Sequence, residues 1–397
     1  MLRIGVMKKE YYCEKRNVTD RVNGRETRAV YQVVKPYDLA ACAGIALEKG
    51  LHRTSPRERS NRLRDYYRPL IAPPVDLIHT CNVVCETKLP WIASFESTLP
   101  MGQREDTSEV HLQWMARNYR QMAAPSCKKL LAFSQWAKDT TLNWMRRNGC
   151  TAGYDAIREK IQVLYPPQAV QLTEDEVRQK FADVEQELRF VFVGRDFYRK
   201  GMYECLLELV ELRKRIPLRL SLVSSLGQGY TYRVPSYTEE ETAQVRQLLH
   251  DNADWIDFHE TLPNEEVLAL CKKAHVGLLP TYRDSFGYSV IEMQSCGCTV
   301  LSTDICALPE LNSPDIGYVC SIREAMESLT DAPGDAQKLR PLLKTQLHTQ
   351  LARIAAECGT LCEKALRARQ RVAQQHDPDH HAAVLWELYQ ECVKKQE

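Results

Sequence analysis

Short apolar runs alternate with helix-patterned segments twice along this chain, and that double alternation limits its fold more than any other feature. In the second half, "FVFVG" (190–194), "LRLSLVSS" (218–225), "WIDFHE" (255–260), "VGLLP" (276–280) and "TVLST" (299–303) have the length and content of buried strands. Between them, "YECLLELVELRKRI" (203–216), "EETAQVRQLLHDN" (240–252), "NEEVLALCKKA" (264–274) and "YSVIEMQSCG" (288–297) place apolar residues at helical spacing. Parallel strands need crossover helices, so this rhythm predicts a doubly wound α/β domain. In the first half the strand readings are 2–7, 28–34, 75–84, 91–97, 128–134 and 159–167, with helices over 36–50, 106–123 and 135–149. The polar, acidic stretch 168–188 separates the two series, and a last amphipathic helix follows Pro378.

The chain has 397 residues, enough for two domains with a large core in each. The expected division is a Rossmann-like domain over 1–168, a second over 169–375, and a terminal helical segment over 376–397. Two such sheets in series offer a ligand cleft at their strand ends.

Charge is uneven. Residues 1–150 carry 25 Lys and Arg against 15 Asp and Glu, whereas residues 201–397 carry 20 against 28. The run "HRTSPRERSNRLRDYYR" (52–68) has two readings: a solvated charged face, or a surface for phosphate or anionic lipid headgroups. Nucleic acid is not expected, because no helix-turn-helix, zinc-finger or RNP-type pattern accompanies it.

There are 15 Cys, and none forms a CxxC pair. The N-terminus turns charged after seven residues, so no secretory leader is expected. No apolar run reaches the roughly 18 residues that a membrane-spanning helix requires. The expectation is a cytoplasmic protein with unpaired, mostly buried thiols.

Two segments carry the chemistry. In "VFVGRDFYRKG" (191–201) a strand ends at Gly194, Arg195 follows, and Lys200 comes just before a helix. Two cations on a strand-end loop suit a diphosphate, Arg by paired hydrogen bonds and Lys as a mobile charge. The plainer reading is two solvated loop cations. In "LPTYRDSFGYSVIEMQSCG" (279–297), Asp284 and Ser285 precede Phe286, Gly287 and Tyr288, where a helix is expected to start. A helix N-terminus attracts phosphate, and Gly287 lets a ligand come close. Glu292, expected about two turns into the helix, would suit a ribose diol. The competing reading makes Asp284 or Ser285 an N-cap and leaves Glu292 facing solvent.

These two segments, with "VLSTDICALPE" (300–310), resemble the nucleotide-sugar half of family 4 retaining glycosyltransferases, which have the two-domain GT-B fold. The first half resembles the family more loosely, through "LLAFSQWAKD" and "KIQVLYPP", and the last helix resembles the one that returns to the first domain. The resemblance implies that Arg195 and Lys200 neutralise the donor diphosphate and that the turn from Ser285 to Tyr288 offers main-chain N–H groups. It implies that Glu292 binds the ribose and that Asp284, standing where the family usually has Glu, contacts hydroxyls of the transferred sugar. It also implies a nucleotide-sugar donor, a glycan or lipid-linked acceptor, and no metal or other cofactor.

This chain departs from that pattern at three points. "GVMKKEYY" (5–12) replaces the family's first Gly-rich loop. "LVSSLG" (222–227) replaces a second Gly-rich turn, so Ser224 and Ser225 are candidates to take over its part. Glu96 stands where the family often has an acceptor-facing His, as a candidate to orient an acceptor hydroxyl or to stabilise positive charge on the sugar; a loop or capping acid is the plainer reading. The "HDPDHH" stretch (376–381) lacks zinc-ligand spacing and reads as a capped helix start. A non-catalytic GT-B subunit that scaffolds a partner is the alternative function. An epimerase or phosphorylase on the same fold is a third reading, for which no acid/base set was found.

Overall fold

The computed structural model describes residues 1–7, 17, 28–34, 66–67, 74–101, 109–227, 229, 232–330, 332 and 334–394. The helix expected over 36–50, almost all of the basic run 52–68, and most of "GVMKKEYY" lie outside the described residues. The chain divides into two compact units, one of Met1–Pro167 with His376–Glu397, the other of Gln168–Gln375.

The first unit holds strands β1 (Leu2–Val6), β2 (Ala29–Val33), β3 (Tyr66–Tyr67), β4 (Leu77–Cys81), β5 (Val84–Cys85), β6 (Trp91–Phe95), β7 (Cys127–Ala132) and β8 (Ile161–Val163). Six of them form a parallel sheet in the order β2-β1-β4-β6-β7-β8. Successive residues point to opposite faces of a strand, and the core follows that alternation. Ile78, Ala93 and Leu130 share one buried cluster with helices α1 (Glu109–Ala123), α2 (Gln135–Arg147) and α3 (Tyr154–Lys160). Their neighbours Leu77, Ile92 and Leu131 share another with Leu385, Leu388 and Tyr389 of the C-terminal helix, Pro378–Lys394. That helix therefore completes the core of the first unit. Each of its large apolar side chains stabilises this face by about 1.5–3 kcal/mol.

The ends of the C-terminal helix account for "HDPDHH". The Asp377 carboxylate accepts from the N–H groups of Asp379 and His380, capping the helix as its sequence suggests. His376 and His381 engage the carbonyl oxygens of Pro166 and Tyr165. In the sheet below, buried His79 links Tyr389 Oη (2.7 Å) to Ser94 Oγ (2.8 Å).

The second unit holds β9 (Leu188–Val193), β10 (Leu218–Val223), β11 (Ile256–His259), β12 (Val276–Leu279), β13 (Thr299–Thr303) and β14 (Gly317–Cys320), all parallel, in the order β11-β10-β9-β12-β13-β14. Val191, Phe192, Leu278 and Leu301 are fully buried, as in a sheet covered on both faces. Its helices are α4 (Glu174–Lys180), α5 (Met202–Arg213), α6 (Glu239–Asp251), α7 (Asn264–Lys273), α8 (Tyr288–Ser295), α9 (Leu339–Ala356) and α10 (Leu361–Gln375). Capping boxes start α4 at Thr173 and α6 at Thr238.

Two differences from the sequence reading have physical causes. The strand expected over 159–167 is only Ile161–Val163, because Glu159 and Lys160 finish α3. The Lys160 ammonium there caps the end of α1 by donating to the carbonyls of Met122, Ala123 and Ala124. Residues 312–375, unassigned from sequence, contain β14, α9 and α10. Leu339, Leu343, Leu347 and Leu351 recur every fourth residue on the buried face of α9.

Candidate functional site

The order of the second sheet reverses between β9 and β12, the two strands from which the chain winds outward in opposite directions. Open α/β sheets bind ligands outside the carboxyl ends of strands at such a switch point. The loop after β9 carries Gly194, Arg195 and Lys200, and the loop after β12 carries Asp284, Ser285, Phe286 and Gly287. These seven residues thus come from two neighbouring strand ends, with Tyr288 at the helix start that follows and Glu292 on that helix.

Each loop is held by local hydrogen bonds. The Gly194 N–H extends the β9–β10 ladder by donating to Val223 O. The hydroxyls of Ser224 and Ser225 both donate to the carbonyl of Arg195, so these serines brace the β9 loop from the end of β10. The loop closes where the Lys200 N–H donates to Asp196 O and the Met202 N–H to Phe197 O. Gly201 turns the chain into α5 with φ +68°, and any Cβ there would strike the carbonyl oxygen of Pro280. The start of α5 therefore sits directly against the end of β12.

Across that contact, Lys200 Nζ pairs with Asp284 Oδ2 at 2.5 Å, with side-chain exposures of 11% and 18%. Asp284 is thus an ion-pair partner and not an N-cap. The helix α8 begins after Gly287, which adopts φ +93°, and no side chain caps it. The N-cap reading of Asp284 or Ser285 is corrected by this geometry. Because α8 starts only at Tyr288, Glu292 is its fifth residue, little more than one turn in, not two. It is also 6% exposed, so it does not face solvent. Phe286 is buried, and its ring lies 5.0 Å from that of Tyr288. Arg195 is exposed, and no described residue forms a hydrogen bond or ion pair with its guanidinium.

Glu96 belongs to the first unit. It follows β6, and its N–H donates to Asn82 Oδ1 at 3.0 Å, Asn82 itself having φ +58°. Among the described residues no group of His, Cys, Asp and Glu could hold a metal ion. Thirteen described cysteines are free thiols.

Sequence reasoning missed the residues that join the two loops. The Arg199 guanidinium donates to Asp196 and to the carbonyl of Arg283, while the Arg199 carbonyl accepts from the Tyr282 N–H and the Thr281 hydroxyl. Thr303 on β13 donates in turn to Thr281 O at 2.7 Å. Behind the loops, Glu204 is held by Arg340 (2.8 Å) and by Tyr237 Oη. Burial pushes the Glu204 carboxyl up, and the hydrogen bond from Arg340 opposes this. Arg340 also reaches Glu241 and lies 4.4 Å from the centre of the Tyr237 ring. Only the position of Arg199, next to Lys200, hinted at its part.

Residues 173–340 match the family model described as Glycosyl transferases group 1. The second unit is a group 1 glycosyltransferase domain. Glycogen synthase of Mycobacterium tuberculosis is 23% identical over 155 residues of this domain-bearing chain, 37% of its length. The match spans only 35% of that relative. Sucrose-phosphate synthase from Thermosynechococcus elongatus shares the fold at 17% identity and TM-score 0.53, over 81% of this chain and 75% of its own. The Anabaena protein Alr3699/HepE, solved in complex with UDP, does so at 14% identity and TM-score 0.56, over 98% and 100%. Trehalose 6-phosphate synthase from Burkholderia multivorans does so at 12% and 0.56, over 100% and 99%. With two six-stranded parallel sheets in one chain, the fold is of the GT-B type.

Proposed function

We propose that this protein is a retaining glycosyltransferase of the hexosyl type. It would move a sugar from a UDP- or GDP-sugar to a hydroxyl of a glycan or lipid-linked acceptor, as in synthesis of cell-surface polysaccharides or glycoconjugates. The observation that carries this reading is the gathering of Arg195, Lys200, an uncapped helix start and the buried Glu292 around one switch point. An activated sugar has a ribose, a diphosphate and a hexose, and the site offers a group suited to each. The UDP held by Alr3699/HepE, in one structure together with glucose, supports a nucleotide donor.

In this reading Glu292 accepts from the ribose diol, and Gly194 leaves room for the diphosphate. Arg195 and Lys200 neutralise that diphosphate, with main-chain N–H groups from Ser285 through Tyr288 on its far phosphate. Asp284 engages hydroxyls of the transferred sugar. As the bond from the sugar to the leaving phosphate breaks, the departing oxygen takes the acceptor's proton, and the acceptor oxygen bonds the sugar on the same face. Charge at the leaving group is then the largest contribution, worth several kcal/mol in other preorganised sites. The fixed positive groups supply it, so no metal is invoked. Glu96 is proposed for the acceptor, to orient its hydroxyl or to stabilise positive charge on the sugar.

The excess of Lys and Arg in residues 1–150 supports an anionic acceptor and a cytoplasmic enzyme resting on the inner membrane face. Among the described residues no helix is long and apolar enough to cross a membrane. Flotation with anionic vesicles, but not neutral ones, is the expected behaviour; equal absence from both would point to a soluble acceptor. Transfer itself is tested with Arg195→Ala/Lys200→Ala, which should lose turnover while still folding. Retained turnover would contradict the assignment.

A further inference from the structure

Lys200 and Asp284 are proposed for different parts of one donor, yet they form an ion pair with each other. Lys200 is packed at its base. Its Cγ lies under Gly194, 3.2 Å from where a Cβ would stand, and the next residue, Gly201, is pressed on Pro280. The stem of Lys200 is therefore held at the switch point, and its ammonium has Asp284 as anionic partner. The backbone leading into Asp284 is held as well, because Arg199 donates to the carbonyl of the residue before it. Arg195 differs: it is exposed and has no ion-pair partner among the described residues.

We propose that Asp284 is a built-in competitor for the donor's diphosphate, which must take Lys200 from it and thereby frees the Asp284 carboxylate for a hydroxyl of the transferred sugar. This rests on the donor-site reading above and adds an order of events to it. A diphosphate brings at least two negative charges against the single charge of Asp284, so it wins the ammonium. A carboxylate left beside that diphosphate is repelled unless it turns toward a hydroxyl donor. Nucleotide and sugar then favour each other's binding, since the first releases the group that holds the second. Without nucleotide the pair keeps the sugar-binding carboxylate occupied.

The test is calorimetric titration of UDP and GDP into four proteins: wild type, Asp284→Asn, Lys200→Met and the double variant. Removing a competitor strengthens binding, so Asp284→Asn should hold the preferred nucleotide about tenfold more tightly. That gain should vanish on the Lys200→Met background, because no ammonium remains to compete for. Asp284→Ser, with melting temperatures for every variant, guards against a folding defect and should show the same gain. Unchanged or weaker binding in Asp284→Asn and Asp284→Ser would overturn the exchange alone. An equal gain with Lys200→Met would also overturn it, since loss of a negative charge would then suffice. Failure of every protein to bind either nucleotide would overturn the donor-site reading and the exchange with it.

Discussion

The guanidinium of Arg199 donates to the carbonyl oxygen of Arg283 at 2.9 Å, so the β9 loop grips the residue directly before Asp284. The same side chain bonds Asp196 at 2.7 Å in its own loop. Arg199 therefore sets the spacing of the two loops that flank the switch point. Arg199→Ala should cost about 1–2 kcal/mol in urea unfolding of the second unit. It should also weaken UDP or GDP binding more than that loss of stability explains at temperatures where the variant is fully folded. Arg199→Lys keeps the charge but not the fork, so it should restore less than half of the binding. Full rescue by Lys would mean that only the charge matters.

Behind those loops, Glu204 is 2% exposed and depends on Arg340, 136 residues away in sequence. Removing one partner of a buried pair leaves an uncompensated charge. Arg340→Met should destabilise the second unit by about 3–5 kcal/mol, and Glu204→Gln added to it should recover part of this. Urea denaturation of the single and double variants checks the pair. A loss within about 1 kcal/mol for Arg340→Met would show that water reaches Glu204 and that the network is not a buttress.

These two relationships mark where sequence reading stops. Strands β9 to β13 were legible because buried parallel strands are continuous apolar runs, as in "FVFVG" and "VGLLP", and helices α5 to α8 by their apolar spacing between them. Arg195, Lys200 and Glu292 were legible as residue types at strand ends and a helix start. The pairing of Lys200 with Asp284 was not, because an ion pair across 84 residues leaves no local pattern. Helix α9 went unassigned although its Leu residues recur every fourth position, because Pro341 and the polar residues between them blur the apolar stripe. The competing N-cap reading arose because Asp and Ser are good N-caps in general. Here Gly287 takes the left-handed turn, and Lys200 has claimed the Asp284 carboxylate.

Acid should destabilise the fold before most carboxylates titrate. Burial holds His79 down to about 3, and His275 and His381 down to about 4, against an ordinary value of 6.5. The folded chain keeps these rings neutral, whereas the unfolded chain protonates them as pH falls through 6.5. Unfolding thus takes up protons between about pH 6.5 and 4, and stability drops across that window, while above it the three rings add no slope. Each contributes up to about 1.4 kcal/mol per pH unit. Urea midpoints measured from pH 7 to pH 5 should fall steadily, and less so in His79→Asn. A flat profile over that range would show that the rings are charged in the folded protein.

The account as a whole turns on whether the β9–β12 switch point binds an activated sugar. A thermal-shift screen of UDP- and GDP-sugars tests this most directly, because a ligand of the native state raises its melting temperature. One or more of these donors should raise the melting temperature of the wild-type protein, and none should raise that of Arg195→Ala/Lys200→Ala above its own unliganded value. No shift with any nucleotide sugar, or an equal shift in the double variant, would contradict the claim that this site holds the donor.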